Sequence, residues 1–329
     1  MNIEIQNKCD LLVKNRELIE SKVKLGNPLM TTVAALIFTE KNVTVDVDKF
    51  AECKKLLEKN TGTFSGFQAI SKVAVISKLA LADNPEDYLN KLKNVYEKLG
   101  KGMISNAAFI VQASISIVDA KRDAEVDALK EKFDDLYKRM KKEHPLLTDH
   151  RDISFIANLA LTNKDVDTII KEMEECYDYL KKDLKVKIGN NEIQGVSEIL
   201  ALTDGDMKEK CDKIASLYDT FTAHKTKYGK VNNEYASLGV LIDINKDKDE
   251  LVDEIIETAN YIKGHKGFGN LSISDKIRLM FAAMLTSSVY NADNANAVGS
   301  AMNSSVAVVI AEQLMVLIIV TSAAAASSH

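Results

Sequence analysis

Asp243, Asn245, Asp247, Asp249 and Glu254 fall at positions 1, 3, 5, 7 and 12 of the stretch DINKDKDELVDE, which is the ligand spacing of a calcium-binding loop. Carboxylate oxygens at that spacing can wrap one hard cation. The loop also needs a glycine at position 6 for its sharp turn, and Lys248 stands there, followed two residues later by charged Glu250. Acidic residues that cap a helix and line its first turn explain the string better than a metal does. No metal-ligating residue is assigned from it.

The other chemistry-bearing residues are scattered. His144 and His150 flank the loop HPLLTDH, and His224 and His265 stand farther on. Cys9, Cys53, Cys176 and Cys211 form no C-x-x-C pair, so they read as reduced core thiols. A reactive cysteine needs a basic, open setting, which spacing alone does not supply. The glycine-bearing pieces TGTFSGF at Thr61 and KGFGN at Lys266 lack the P-loop pattern and lie between helices, where glycine is expected as a C-cap. No G-x-S-x-G, H-E-x-x-H or paired zinc spacing occurs. No catalytic, cofactor-binding or metal-ligating residue set is therefore expected, and no cofactor.

The elements that hold these residues recur. LALAD at Leu79–Asp83, LALTN at Leu159–Asn163 and LALTD at Leu200–Asp204 repeat one phrase, with weaker copies at Ile37, Ile115 and Leu241. Tyr96, Tyr137, Tyr177 and Tyr218, each near a helix end rich in lysine, stand 41, 40 and 41 residues apart. Two landmarks with one period indicate a two-helix unit of about forty residues. The first helix is apolar nearly all round, as in ISKVAVISKLALA, and demands burial on several sides. The second is amphipathic, with Val166, Ile169, Ile170, Met173, Tyr177 and Leu180 on one face. Capping residues such as Asp83 and Asn84 before Pro85, and Asn163 or Asp165 before Val166, mark the starts of second helices. His224 and His265 occupy matching positions in adjacent units, at a helix-packing separation too long to share one metal ion.

The expected fold is all-α, with helix pairs stacked as an α-solenoid or a closed helical array and a buried apolar C-terminal helix. It is read as a single domain over 1–329. An N-terminal capping helix lies in 1–30, about six helix-pair repeats in 31–270, and closing helices in 271–329.

Apolar residues make up 46% and charged residues 28% of the 329, a core-forming balance that excludes a disordered chain. Three prolines and no tryptophan leave helices uninterrupted. The net charge of −5 comes from interleaved signs with no Lys/Arg block, so nucleic acid is not an expected partner. The N-terminus lacks the basic start and apolar run of a signal peptide, and a cytoplasmic location is expected.

Three phrases resemble an uncharacterised bacterial family, domain-of-unknown-function family 4003. They are VDVDKFAECKKLLEKNTGTFSGF (Val45–Phe67), MKKEHPLLTDHRDISFIANLAL (Met140–Leu161) and HKGFGNLSISDKIRLMFAAML (His265–Leu285). The resemblance covers most of the chain. It implies a helical protein of low-GC Gram-positive type, in keeping with 38 lysines against five arginines, and it brings no activity or catalytic residues.

The tail SVAVVIAEQLMVLIIVTSAAAASSH is just long enough over Ser305–Ala326 to span a bilayer. Glu312 inside it, and the absence of lysine or arginine after Arg278, argue against that. Ser300, Ser304, Ala307 and Ala311 form a small-residue stripe that suits burial against another helix. The functional expectation is a non-enzymatic scaffold that binds a protein or peptide. A membrane-associated protein anchored by 305–326 is the alternative, and an enzyme or apolar-ligand carrier ranks behind both.

Overall fold

Helices of two kinds alternate along the chain. The computed structural model describes residues 1–25, 28–62, 66–68, 71–102, 107–231, 233–294 and 316, with side chains only to 291 and at 316. Among these residues the fold is all-helical, without a strand. α2 (Pro28–Glu40), α4 (Lys72–Leu81), α6 (Ala107–Asp119), α8 (Ile153–Leu161), α10 (Asn190–Ala201) and α13 (Asp275–Asn294) are enclosed on most sides. α1 (Ile3–Lys22), α3 (Val47–Asn60), α5 (Pro85–Gly100), α7 (Val126–Glu143), α9 (Val166–Asp178), α11 (Met207–Ala223) and α12 (Lys248–Lys263) are amphipathic. On α9, for example, Ile169, Met173, Cys176 and Tyr177 are buried, while the carboxylates between them meet water.

Apolar helices tolerate their hydroxyl residues because the backbone satisfies them. Ser77 donates to Val73 O at 2.9 Å and Ser114 to Ile110 O at 2.7 Å, each one turn back. Between α11 and α12 the apolar element is a short 3-10 helix, Ala236–Leu241, where the sequence pattern predicts an α-helix. Its Gly239 lies against α10 so closely that a Cβ there would come within 2.6 Å of Ile199. α9 likewise ends in a π turn, Tyr179–Asp183.

Packing between the amphipathic helices follows chain order. The amphipathic helices pack α1 to α3, α3 to α5, α5 to α7, α7 to α9, α9 to α11 and α11 to α12. α12 then packs against α1, and α1 also touches α2 and α13. The N-terminal helix thus packs against elements near both ends of the described chain. Tyr261 donates to Asp10 Oδ1 at 2.6 Å across this contact, and the Asn2 amide donates to Glu254 Oε1 at 2.8 Å. The N-terminal ammonium pairs with Glu257.

The short turns between each apolar helix and the next amphipathic one lie at one end of the molecule. Side chains of Asp46, Asn84, Asp165, Asp206 and Asp247 cap the amphipathic helices there, satisfying their first amides. Lysines cap the apolar helices at the same end. Lys8 donates to Thr39 O, Lys49 to Ala82 O, Lys132 to Thr162 O and Lys213 to Ile242 O, at 2.8–3.2 Å. Each lysine stands 29–33 residues before the carbonyl it meets. A cation on the negative end of a helix favours that arrangement.

Candidate functional site

The opposite end carries the longer connections, 144–152, 184–189, 224–235 and 264–274, which run from an amphipathic helix to the next apolar element. The connections 184–189 and 224–235 touch directly, and α10 reaches both 144–152 and 224–235. Gln194 donates to Thr148 Oγ1 at 3.4 Å, the Asn233 amide to Glu192 Oε2 at 2.8 Å, and Lys230 to Lys187 O at 3.4 Å. Arg16, buried and stacked over Phe268, reaches Lys266 O at 3.4 Å and ties the last connection to α1. Gly267 takes a left-handed φ of +86° beneath that guanidinium, which occupies the space a Cβ would fill.

These connections expose aliphatic side chains. Leu146 is 94% exposed, Leu271 is fully exposed and Val231 is 53% exposed. Three connections (184–189, 224–235 and 264–274) hold six lysines and one acid, and that acid, Glu234, is buried. Lys185 and Lys225 stand just past helix ends with φ of 50° and 57°, a left-handed conformation that glycine adopts at lower cost. Among the described residues, Lys185, Lys187, Lys225, Lys227 and Lys266 are exposed and make no ion pair.

Beneath the first of these connections lies a pair of buried carboxyls. Asp152 sits at the start of α8, and its carboxylate accepts from the Asp149 amide at 2.6 Å. Glu198, on α10, has no solvent exposure and accepts from Gln194 at 3.3 Å. Burial, with the neighbouring Asp152, holds the Glu198 carboxyl well above its ordinary range. Burial pushes Asp152 up to about 7. Asp149 is instead drawn below the usual range, against its own desolvation, by a bidentate pair with Arg151 at 2.7–3.1 Å. Glu198 is completely buried and Asp152 nearly so.

The residues singled out by spacing are engaged separately. Asp247 caps α12, Asp249 and Asp253 bracket His224 at 3.0 and 2.7 Å, and Glu254 meets Lys246 and Tyr290. Asp247, Asp249 and Glu254 thus point to different partners. His144 bonds Glu174 at 2.9 Å and stacks on Tyr177, His150 stacks on Phe109, and His265 stacks on Tyr261. Each histidine is held by an adjacent helix.

Cys176 and Cys211 meet between α9 and α11 with sulfurs 3.2 Å apart, both without solvent exposure. The hydrogen bond to Cys211, with burial, raises the Cys176 thiol well above its ordinary value. The glycine pieces are not C-caps. Thr61 caps α3 and Gly264 caps α12, while Gly66 and Gly267 serve close approaches to Ala107 and Arg16. The tyrosines Tyr96, Tyr137, Tyr177 and Tyr218 pack against the core, with Tyr96 on Phe67 and Tyr218 on Tyr235. The tail 305–326, including Glu312, lies outside the described residues apart from buried Val316. Among the described helices, none is long and apolar enough to cross a membrane.

Sequence spacing missed two features. Glu198 was visible as a lone acid in the apolar run IQGVSEILAL, a signal of a buried partner. The lysines and aliphatic tips come from separate stretches that only the fold collects.

A family model described as "Protein of unknown function (DUF4003)" matches residues 16–315. No curated protein and no solved structure is matched. With most of its length covered by that one family, the chain belongs to the DUF4003 proteins of unknown function.

Proposed function

We propose that the protein is a non-enzymatic binding scaffold of the cytoplasm, built as a closed array of two-helix repeats, whose recognition surface is the end that bears the long connections. The closure reading is supported by the contact of α12 with α1 and by the Tyr261–Asp10 bond. The lysine that meets a helix end 29–33 residues ahead, in four places, supports the repeat. A protein or peptide is the expected occupant on sequence grounds.

One observation carries the recognition reading. Leu146, Val231 and Leu271 stand on this end and include the two most exposed aliphatic side chains among the described residues, while Ile3 and Val43 stand at the other end. Surface apolar residues that cluster by location mark interaction sites more often than scattered ones do. The carboxyl pair is better read as internal architecture, since a substrate would have to displace the 144–152 connection to reach it.

Photo-crosslinking in the producing cells tests the reading. A photoreactive residue at Leu146 or Leu271 should give adducts, while one at Glu86, on the opposite end, should not. Equal labelling of both ends, or adducts at Glu86 alone, contradicts it.

A further inference from the structure

We infer that the end bearing the long connections docks on an anionic bilayer surface, with Leu146, Val231 and Leu271 entering the interface and the loop lysines meeting lipid headgroups. This rests on the reading of that end as the recognition surface, and it names the occupant.

Charge and shape together select the bilayer. Lys187, Lys227 and Lys266 lie beyond the last turns of their helices, so the helix macrodipoles do not account for these three. Lys185, Lys187, Lys225, Lys227 and Lys266 remain exposed without an acidic partner among the described residues. A lysine near an anionic leaflet gains free energy that one in bulk water lacks. The other end has its acids committed to helix starts and its lysines to helix ends, so the charge asymmetry belongs to the fold.

The aliphatic residues stand singly on separate connections, Leu146 at 94% and Leu271 at full exposure. A peptide would be gripped by adjacent apolar residues in a groove. Separate apolar tips among lysines match a flat surface with an apolar interior beneath charged headgroups. Lysine stems can lie along such an interface while the ammonium stays hydrated. Lys230 joins 224–235 to 184–189 through Lys187 O, and α10 holds both 144–152, through Gln194, and 224–235, through Glu192, which favours simultaneous insertion.

Flotation of the full chain with vesicles tests the proposal. Vesicles of equal parts phosphatidylglycerol and phosphatidylcholine are compared with vesicles of phosphatidylcholine alone. Binding is expected to the anionic vesicles only, and to weaken as salt rises. Lys185→Gly and Lys225→Gly should each lower it about fivefold, and Leu146→Ser with Leu271→Ser should lower it at least about tenfold. The glycine variants should melt no lower than the parent chain, which separates lost docking from lost folding. Absence of binding to the anionic vesicles overturns the proposal. Binding indifferent to headgroup charge and to these substitutions also overturns it, because it would belong to the apolar tail. If vesicles fail while photoreactive residues at 146 and 271 trap a protein, the bilayer is excluded and the recognition surface stands. If both fail, both readings fall.

Discussion

The Tyr261 hydroxyl donates to Asp10 at 2.6 Å, joining α12 to α1 across 251 residues of sequence. Tyr179 makes the corresponding contact from the end of α9 to Asp212 on α11, at 3.1 Å. α1 therefore meets α12 with the same pair of residue types that α11 uses to meet α9. A helix at the chain terminus thus packs through the same kind of contact as an internal one.

Such a helix should be as costly to disturb as any other core element. Leu12 of α1 has no exposure, and Leu12→Ala should destabilise the protein by about 2–5 kcal/mol, the range of large-to-small core substitutions. Urea unfolding followed by circular dichroism measures it. A loss confined to a few tenths of a kcal/mol would mean that α1 is a peripheral arm.

The carboxyl pair predicts the pH dependence of stability. Asp152 is raised from an ordinary 3.8 to about 7, and Glu198 is raised above its ordinary range, both chiefly by burial. The folded state thus holds more protons than the unfolded chain between those limits. The stabilisation is fully present below the unfolded value and is lost as pH rises through about 7. Glu198→Gln keeps the size and polarity of the side chain and removes one titration. Urea midpoints measured from acid to neutral pH should fall less steeply in this variant than in the parent chain.

How much of this was legible in the sequence depends on the range of the interaction. Asn84 before Pro85 announced the start of α5, and one of the two candidate caps, Asp165, starts α9, because capping is decided within four residues. The 3-10 form of Ala236–Leu241 was not legible, since it reflects the approach of Gly239 to Ile199 from another helix. The meeting of Glu198 with Asp152 depends on how the 144–152 connection folds over α10. The lysine-rich end was hidden for a related reason. Its charges are interleaved with acids along the chain, and only alternating helix direction sends them to one side.

The thiols of Cys176 and Cys211 should be silent in the native protein. They lie 3.2 Å apart without exposure, and burial with their mutual hydrogen bond raises the Cys176 thiol. An aromatic disulfide reagent should label neither before unfolding and both in denaturant. Rapid labelling of either in the folded protein would contradict the packing of α9 on α11.

Lys185 and Lys225 hold left-handed backbone that glycine adopts without steric cost. Lys185→Gly and Lys225→Gly should each raise stability by about 0.5–1 kcal/mol, read from the melting temperature. A stabilising change that weakens vesicle binding would mark these lysines as retained for what they contact.

The array's closure is the claim on which the rest depends, and a distance measures it. Spin labels at Lys14 on α1 and Asn260 on α12, both exposed, report the separation of the first and last amphipathic helices. Neighbouring helices pack 8–10 Å apart, so closure predicts a single narrow distribution below about 30 Å, labels included. An open row of the same helices would place the labels roughly 50–60 Å apart. A distribution centred there would contradict the closed array.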